Sequence, residues 1–340
     1  MSSPPSIDIV IIGLNSAKTL GPCIESVRSS RYPQSRISIF YVDGGSSDES
    51  LKIAESLGCT CLGIDSPTPT PGRQRNVGWK YGSAEYIQFL DSDTIMDSDW
   101  LKKAVSTLIA ENLGAIWGDR NEMYPDKTVF NWLGNLEWNP PPGETETFGG
   151  DVFISRAALM ITDGYNPNLI AGEDPELAYR INRAGFKIVK VAEPMTEHDL
   201  AMSTLRQYRK RAYRSGHAYA EVHALHNDLW GAETRRINIR TLPFLVGLAS
   251  LSLIPLSPWV CVAPILGTAI LLRPRILLVG EFQSSLSLTR QEARTYAWHA
   301  SLVVIPQFFG MLRFLFGRLF SRPLTNQRLL PVVPGKGGAR

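Results

Sequence analysis

The chain has 340 residues, enough for one sizeable α/β domain plus an attachment. Its net charge of +3 is too small, and its cations too spread out, for a nucleic-acid-binding surface, and no zinc-finger spacing or basic arm is present. Residues 1–6 are polar, so no secretory signal is expected. Cys23, Cys59, Cys61 and Cys261 lack metal-ligand spacing and are expected to be reduced thiols in the cytosol.

Over the first hundred residues short β-branched runs alternate with amphipathic stretches, the rhythm of βαβ units and a largely parallel sheet. This pattern predicts strands at 7–13, 37–42, 60–64 and 86–90, with helices at 18–29, 47–57 and 72–81. The first strand ends in Gly13-Leu14-Asn15 and the second in Asp43-Gly44-Gly45-Ser46-Ser47-Asp48. Polar groups therefore gather at the carboxyl ends of neighbouring parallel strands, where open α/β sheets bind ligands. The glycine pair lets the backbone approach a ligand, Asp43 can accept hydrogen bonds from a base or ribose, and Ser47 or Asp48 can cap the next helix. Arg73 and Arg75 fall near the start of the third helix, where they either neutralise phosphate oxygens or face solvent.

The fourth strand, Ile87-Gln88-Phe89-Leu90, ends abruptly in Asp91-Ser92-Asp93. Two carboxylates at a strand tip can share one hard cation, and oxygen ligands suit Mg²⁺ or Mn²⁺; alone, such a pair is also a common acidic turn. Nearby, Asp97-Ser98-Asp99 is expected to cap a helix starting at Trp100. Farther on, Gly149-Gly150-Asp151 precedes an apolar run, and Glu173-Asp174 opens a helix at 172–184, where acids are expected for capping alone. A strand at 187–191 leads to Glu197-His198-Asp199, with His198 either structural or a ligand.

The strand with Asn15, the 43–48 turn, Arg73-x-Arg75-Asn76-x-Gly78 and Phe-Leu-Asp91-Ser-Asp93-Thr, in this order and spacing, together resemble glycosyltransferase family 2, whose members have the GT-A fold. The likeness covers about 7–198. It implies a Rossmann-like α/β catalytic domain over 1–200, with a nucleotide-sugar half over about 1–100 and an acceptor half over about 101–200. The aspartate matching Asp43 contacts the nucleobase in that family, and those matching Asp91 and Asp93 hold ribose and a diphosphate-bound Mg²⁺ or Mn²⁺. Asn15, Ser46, Arg75 and Asn76 match donor-site positions less specifically, and His198 stands where some members of the fold place a further metal ligand or diphosphate contact. Asp174 matches the catalytic base, while Gly150, Asp151 and Glu173 are expected to face the acceptor. The implied reaction is inverting transfer of one sugar from a nucleoside-diphosphate sugar, UDP-linked by preference. Processive members carry Gln-x-x-Arg-Trp; Gln207-Tyr208-Arg209-Lys210-Arg211 departs from it, so polymerisation is not expected. The competing readings are a sugar-phosphate nucleotidyltransferase, whose glycine- and arginine-rich loop is missing at 13–18, and a non-catalytic nucleotide-binding membrane scaffold.

Composition then shifts. Residues 201–240 are helical and basic, whereas 242–272 carry no charge and are interrupted by Pro243, Pro255, Pro258 and Pro264. A second apolar stretch, 298–312, is followed by Arg313, Arg318 and Arg322. Basic flanks fit cytoplasmic ends, which predicts a transmembrane hairpin and a third membrane-embedded or interfacial helix over 241–325, then a flexible tail over 326–340. The catalytic domain is expected to face the cytoplasm at the membrane and to act on a lipid-linked or cell-envelope glycan acceptor. The alternative is a set of helices packed on the catalytic domain in water.

Overall fold

The computed structural model describes residues 3–64, 66, 68–253 and 257–320. The predicted 326–340 tail, Pro255 and Arg322 lie outside the described residues. The chain divides into two compact units, one ending at Ser203 and one beginning at Thr204.

The first unit is built on β1 (Ile7–Gly13), α1 (Leu20–Arg28), β2 (Ile37–Asp43), α2 (Ser50–Ser56), β3 (Thr60–Gly63), α3 (Pro71–Tyr81) and β4 (Tyr86–Asp91). It continues through β5 (Thr94–Met96), α4 (Trp100–Glu111), β6 (Ala115–Glu122), α5 (Val129–Trp138), β7 (Gly143–Glu144), β8 (Val152–Ser155), α6 (Arg156–Thr162), α7 (Glu173–Arg183) and β9 (Ile188–His198). All nine strands join one sheet in the order β3-β2-β1-β4-β8-β6-β9-β5, with β7 on β9. β3, β2, β1 and β4 are mutually parallel. The largely parallel sheet expected from the sequence stops there: β8 runs antiparallel to both β4 and β6, and β5 and β7 run antiparallel to β9. Beyond β4 the sheet is mixed: β6 and β9 are again parallel to each other, and the antiparallel β8 separates β6 from β4.

Strands β1 and β4 are apolar because helices cover both faces, and every β1 residue is buried. Asp8, inside β1, is held by Arg156 Nη2 at 2.9 Å and the Ala84 amide at 2.8 Å. α3 starts where Thr70 accepts the Arg73 amide at 3.2 Å and Pro71 supplies a pre-set φ. It lies close on the sheet at Gly78, where a Cβ would stand 3.1 Å from Val42 Cγ2. α1 and α2 begin two and three residues later than predicted. Ser16 accepts the Thr19 and Leu20 amides in a turn, and Asp48 binds the Ala17 and Ser50 amides ahead of α2. Asp97 makes a turn with the Asp99 amide, and Asp99, at the N-cap of α4, makes no side-chain cap bond.

The second unit contains α8 (Leu205–Leu225), α9 (Gly231–Ser250), α10 (Val262–Leu271), α11 (Arg273–Leu277), α12 (Val279–Ser285), α13 (Arg290–Leu302) and α14 (Val304–Leu319). α9 runs through Pro243, and the uncharged 242–272 stretch is divided between the second half of α9 and α10, with 3₁₀ turns at 251–253 and 258–261 between them. Among the described residues one helix, Arg290–Leu319, is long and apolar enough to cross a membrane.

Candidate active site

The carboxyl ends of β1, β2 and β4 converge as expected for a parallel sheet. At the first two, the Gly44 amide donates to the Gly13 carbonyl at 2.8 Å, joining the strand tips. Asn15 sits in the left-handed region at φ 56°, which asparagine tolerates. Its side-chain carbonyl accepts the Ser47 amide at 2.9 Å, and its own amide donates to Ser46 Oγ at 2.8 Å. Asp43 is buried, accepting the Gly45 and Ser46 amides at 2.8 and 2.7 Å and the Tyr41 hydroxyl at 3.1 Å. Its carboxylate thus shapes the glycine turn.

Asp91 ends β4, and Asp93 follows in the turn to β5. β5 pairs with β9 so that Thr94 lies opposite His198. This register brings His198 Nε2 to 3.2 Å from Asp93 Oδ1. One ligand atom each from Asp91, Asp93 and His198 lies within 4.8 Å of the others. Two carboxylates and an imidazole form a donor set suited to Mn²⁺ or Mg²⁺, so the residues fit such an ion. Burial works against protonated His198, but the hydrogen bond and charge of Asp93, with the charge of Asp151, together outweigh it and raise the pKa. The edge of the imidazole meets the Trp138 ring, with centroids 5.2 Å apart.

Arg75 organises the other side. Its side chain is 2% exposed, and the guanidinium reaches Asp91 Oδ1 at 2.8 Å, Glu173 Oε1 at 3.0 Å and Asp174 Oδ1 at 3.2 Å. It also lies 5.3 Å from the Tyr165 ring centroid. The sequence pointed to Arg75 as a phosphate contact; the fold buries it among three carboxylates, where it orients them. Glu173 and Asp174 start α7 after Gly172, whose φ of 83° turns the chain into the helix. Asp174 is 16% exposed at its side chain. Burial, against the pull of Arg75 and reinforced by Glu173 and Asp91, pushes its pKa up to about 8. For Asp91 burial again opposes ionisation, but Arg75, Arg120 and His198 prevail and lower the pKa.

Gly150 faces this cluster, since a Cβ there would stand 2.7 Å from both Asp91 Oδ2 and Arg75 Nη2. Asp151 was expected at the acceptor but is fully buried. It accepts the Asp91 amide at 3.0 Å and the Thr196 hydroxyl at 2.9 Å, and it pairs with Arg120 Nε at 3.1 Å. It supports Asp91 from behind. Asn76 is not part of the cluster: its amide binds the Tyr165 carbonyl at 2.7 Å, and its oxygen accepts the Tyr165 and Trp79 N–H groups, both at 2.9 Å. Sequence reasoning missed Arg120, whose guanidinium lies 5.3 Å from the Trp138 ring centroid, and Trp138 and Tyr165 themselves. No local pattern marks these residues.

A mixed sheet with acidic groups at the tip of its fourth strand and at a helix start is the fold of GT-A glycosyltransferases. Residues 8–155 match the model described as glycosyl transferase family 2. It is 23% identical to glycosyltransferase AglE of Haloferax volcanii over 72% of this chain and 82% of that protein. The mannosyltransferase PcManGT from Pyrobaculum calidifontis, solved with GDP-Man and Mn²⁺, superposes with a TM-score of 0.60 at 16% identity, covering 92% of this chain and 88% of that one. Residues 1–349 of Staphylococcus aureus TarS, solved with UDP-GlcNAc, give a TM-score of 0.52 at 16% identity, covering 92% of each chain.

Proposed function

We propose that this glycosyltransferase moves a single sugar from a nucleoside-diphosphate sugar, UDP-linked in our reading, to a lipid-linked or cell-envelope glycan at the cytoplasmic face of a membrane, with inversion at the anomeric carbon. The observation that carries the reading is the grouping of Asp91, Asp93 and His198 beside a buried arginine that also holds Asp174. The sugar nucleotides bound by PcManGT and TarS support the donor class.

Asp91, Asp93 and His198 would hold Mn²⁺ or Mg²⁺. The ion would offset the negative charge that grows on the departing diphosphate. Asp174 is the base. Its carboxylate takes the acceptor hydroxyl proton while that oxygen bonds to the anomeric carbon and the bond to the diphosphate oxygen breaks. A pKa raised toward neutrality suits that task. Arg75 fixes Asp91 and Asp174 relative to each other, so attack and departure share one frame. Glu173 completes the pocket wall next to the acceptor. Asn15, Asp43 and Ser46 shape the loop that receives the nucleoside.

The test is a panel of nucleotide sugars measured by thermal shift with and without Mn²⁺, since a ligand that binds only the folded state raises apparent stability. One donor should raise the melting temperature only with Mn²⁺, and Asp93→Ala should lose that shift. An equal shift in the variant would remove the cation site from the account.

A further inference from the structure

The second unit contains two antiparallel helix pairs closed on glycine. In one, Arg240 Nη2 donates to the Leu271 carbonyl at 2.9 Å, Gly267 abuts the Pro243 carbonyl, and a Cβ at Gly247 would stand 2.7 Å from Pro264 Cα. The partners 240 with 271, 243 with 267 and 247 with 264 make α9 and α10 a close hairpin of the kind that small residues permit in lipid. Between Leu242 and Leu272 there is no charged residue. Val246, Leu251, Ile265 and Leu266 are exposed along the arms, and Trp259 near their far end is 81% exposed. So much exposed apolar surface marks an interaction site. At the foot, exposed Arg235, Arg236 and Arg273 surround buried Arg240, which also donates to the Ser301 carbonyl at 3.1 Å. Apolar arms over a cationic foot complement an anionic bilayer in both layers.

The arms are short. With the turn that leads into it, the α10 arm runs over Trp259–Leu271, about 20 Å at 1.5 Å per residue, whereas the hydrocarbon core is about 30 Å thick. The apolar part of α9 is of similar length.

α14 cannot cross in their place. Gly216 of α8 abuts the Gln307 carbonyl, and Gly310 of α14 abuts the Tyr213 carbonyl, so the two helices lie antiparallel in backbone contact. Exposed Arg206, Arg209 and Lys210 of α8 consequently run beside the second half of α14 and would enter the hydrocarbon with it. Phe309, Leu315, Phe316 and Leu319 of α14 are exposed as well, a combination that suits the boundary between headgroups and acyl chains.

We infer that residues 204–320 form a one-sided anchor: the α9–α10 hairpin enters a single leaflet of an anionic membrane, the α8–α14 pair lies along the headgroups, and no described segment crosses. This rests on the membrane reading above and differs from the transmembrane hairpin expected from sequence, because both arms are short.

Cys261 sits between the arms and provides a native probe, with Cys61 of the first unit, equally half-buried, as the control; both are first shown to label in the protein without vesicles. The full chain is added to sealed phosphatidylcholine–phosphatidylglycerol vesicles, recovered by flotation, and treated with a membrane-impermeant maleimide present either outside or entrapped inside. Labelled peptides are read by mass spectrometry. The protein should float. Cys61 should label from outside only, and Cys261 from neither side until detergent is added. Labelling of Cys261 by the entrapped reagent would mean a crossing, and labelling from outside in floated protein would mean no insertion; either overturns the one-leaflet anchor while leaving membrane association intact. Failure to float would overturn both. Because Ile265 and Leu266 are exposed, the pair Ile265→Arg and Leu266→Arg should fold, keep the donor-dependent thermal shift and lose at least tenfold in flotation. Flotation equal to wild type would count against the hairpin.

Discussion

Gly150→Ala places a single methyl group at the centre of the cluster. The new Cβ would be 2.7 Å from Asp91 Oδ2 and 2.7 Å from Arg75 Nη2, where ordinary contact begins at 3.4 Å. Both atoms must therefore retreat by about 0.7 Å, in a site as closely packed as a core. Arg75 has no room, being 2% exposed and held by three carboxylates, so the Asp91 carboxylate, 30% exposed, must swing toward solvent and away from Arg75. Overpacking of this kind costs about 1–3 kcal/mol, equivalent to roughly a 5- to 150-fold loss in kcat/KM if the displaced pair frames the reaction. Gly150 is outside the positive-φ glycines, so alanine adds no backbone strain and the experiment reads the contact alone. Donor hydrolysis or transfer kinetics, with Mn²⁺ titration by calorimetry, provide the assay. A variant within twofold of wild type in both kcat/KM and Mn²⁺ affinity would refute the placement of the Asp91–Arg75 pair at the reaction centre.

Asp174→Asn should leave donor affinity nearly unchanged and slow transfer by several orders of magnitude, measured in single turnover; near-normal transfer would dismiss Asp174 as the base. Stability should carry a matching signature. Asp174 has a folded pKa raised from 3.8 to about 8, so its protonated form stabilises the metal-free fold fully below pH 4, and that contribution fades as pH rises through 8. The melting temperature of wild type minus that of Asp174→Asn should fall between pH 5 and 9; a flat difference would contradict the shift. Asn76→Ala removes three hydrogen bonds around Tyr165 and should cost about 1–3 kcal/mol in urea unfolding, with donor affinity of the folded protein unchanged. A selective loss of donor binding without destabilisation would return Asn76 to the donor site.

The first four strands and three helices were legible because each carries its own periodicity: 7–13 matches β1, and 72–81 falls within α3. Asp91, Asp93 and Asp174 stood out through the order and spacing of the motifs that carry the resemblance, and the fold brings Asp91 and Asp174 onto one arginine and Asp93 beside Asp91 and His198. What stayed hidden depends on contacts between distant segments. Arg75 near a helix N-terminus looks like a phosphate ligand until Glu173 and Asp174 fold against it. Asp151 looks accessible in a glycine-rich loop until β8 inserts between β4 and β6 and buries it. The uncharged stretch was visible as composition, but its division into two short helical arms was not, since the arm lengths are set by where the helices break.

The pairing of β5 with β9 ties Asp93 to His198 through one hydrogen-bonded ladder, and β9 is already irregular against β6 around Asp119. A strand has a two-residue period, so removing one residue within Ile188–His198 would turn the imidazole to the opposite face of the sheet. The Met123 amide, ahead of α5, donates to the His198 carbonyl at 3.0 Å, and Trp138 at the end of α5 meets the imidazole, so the chain around α5 is tied to the same residue. Relatives and engineered forms should therefore keep a fixed residue count in β9. The strand works as a ruler that sets the separation of Asp93 and His198.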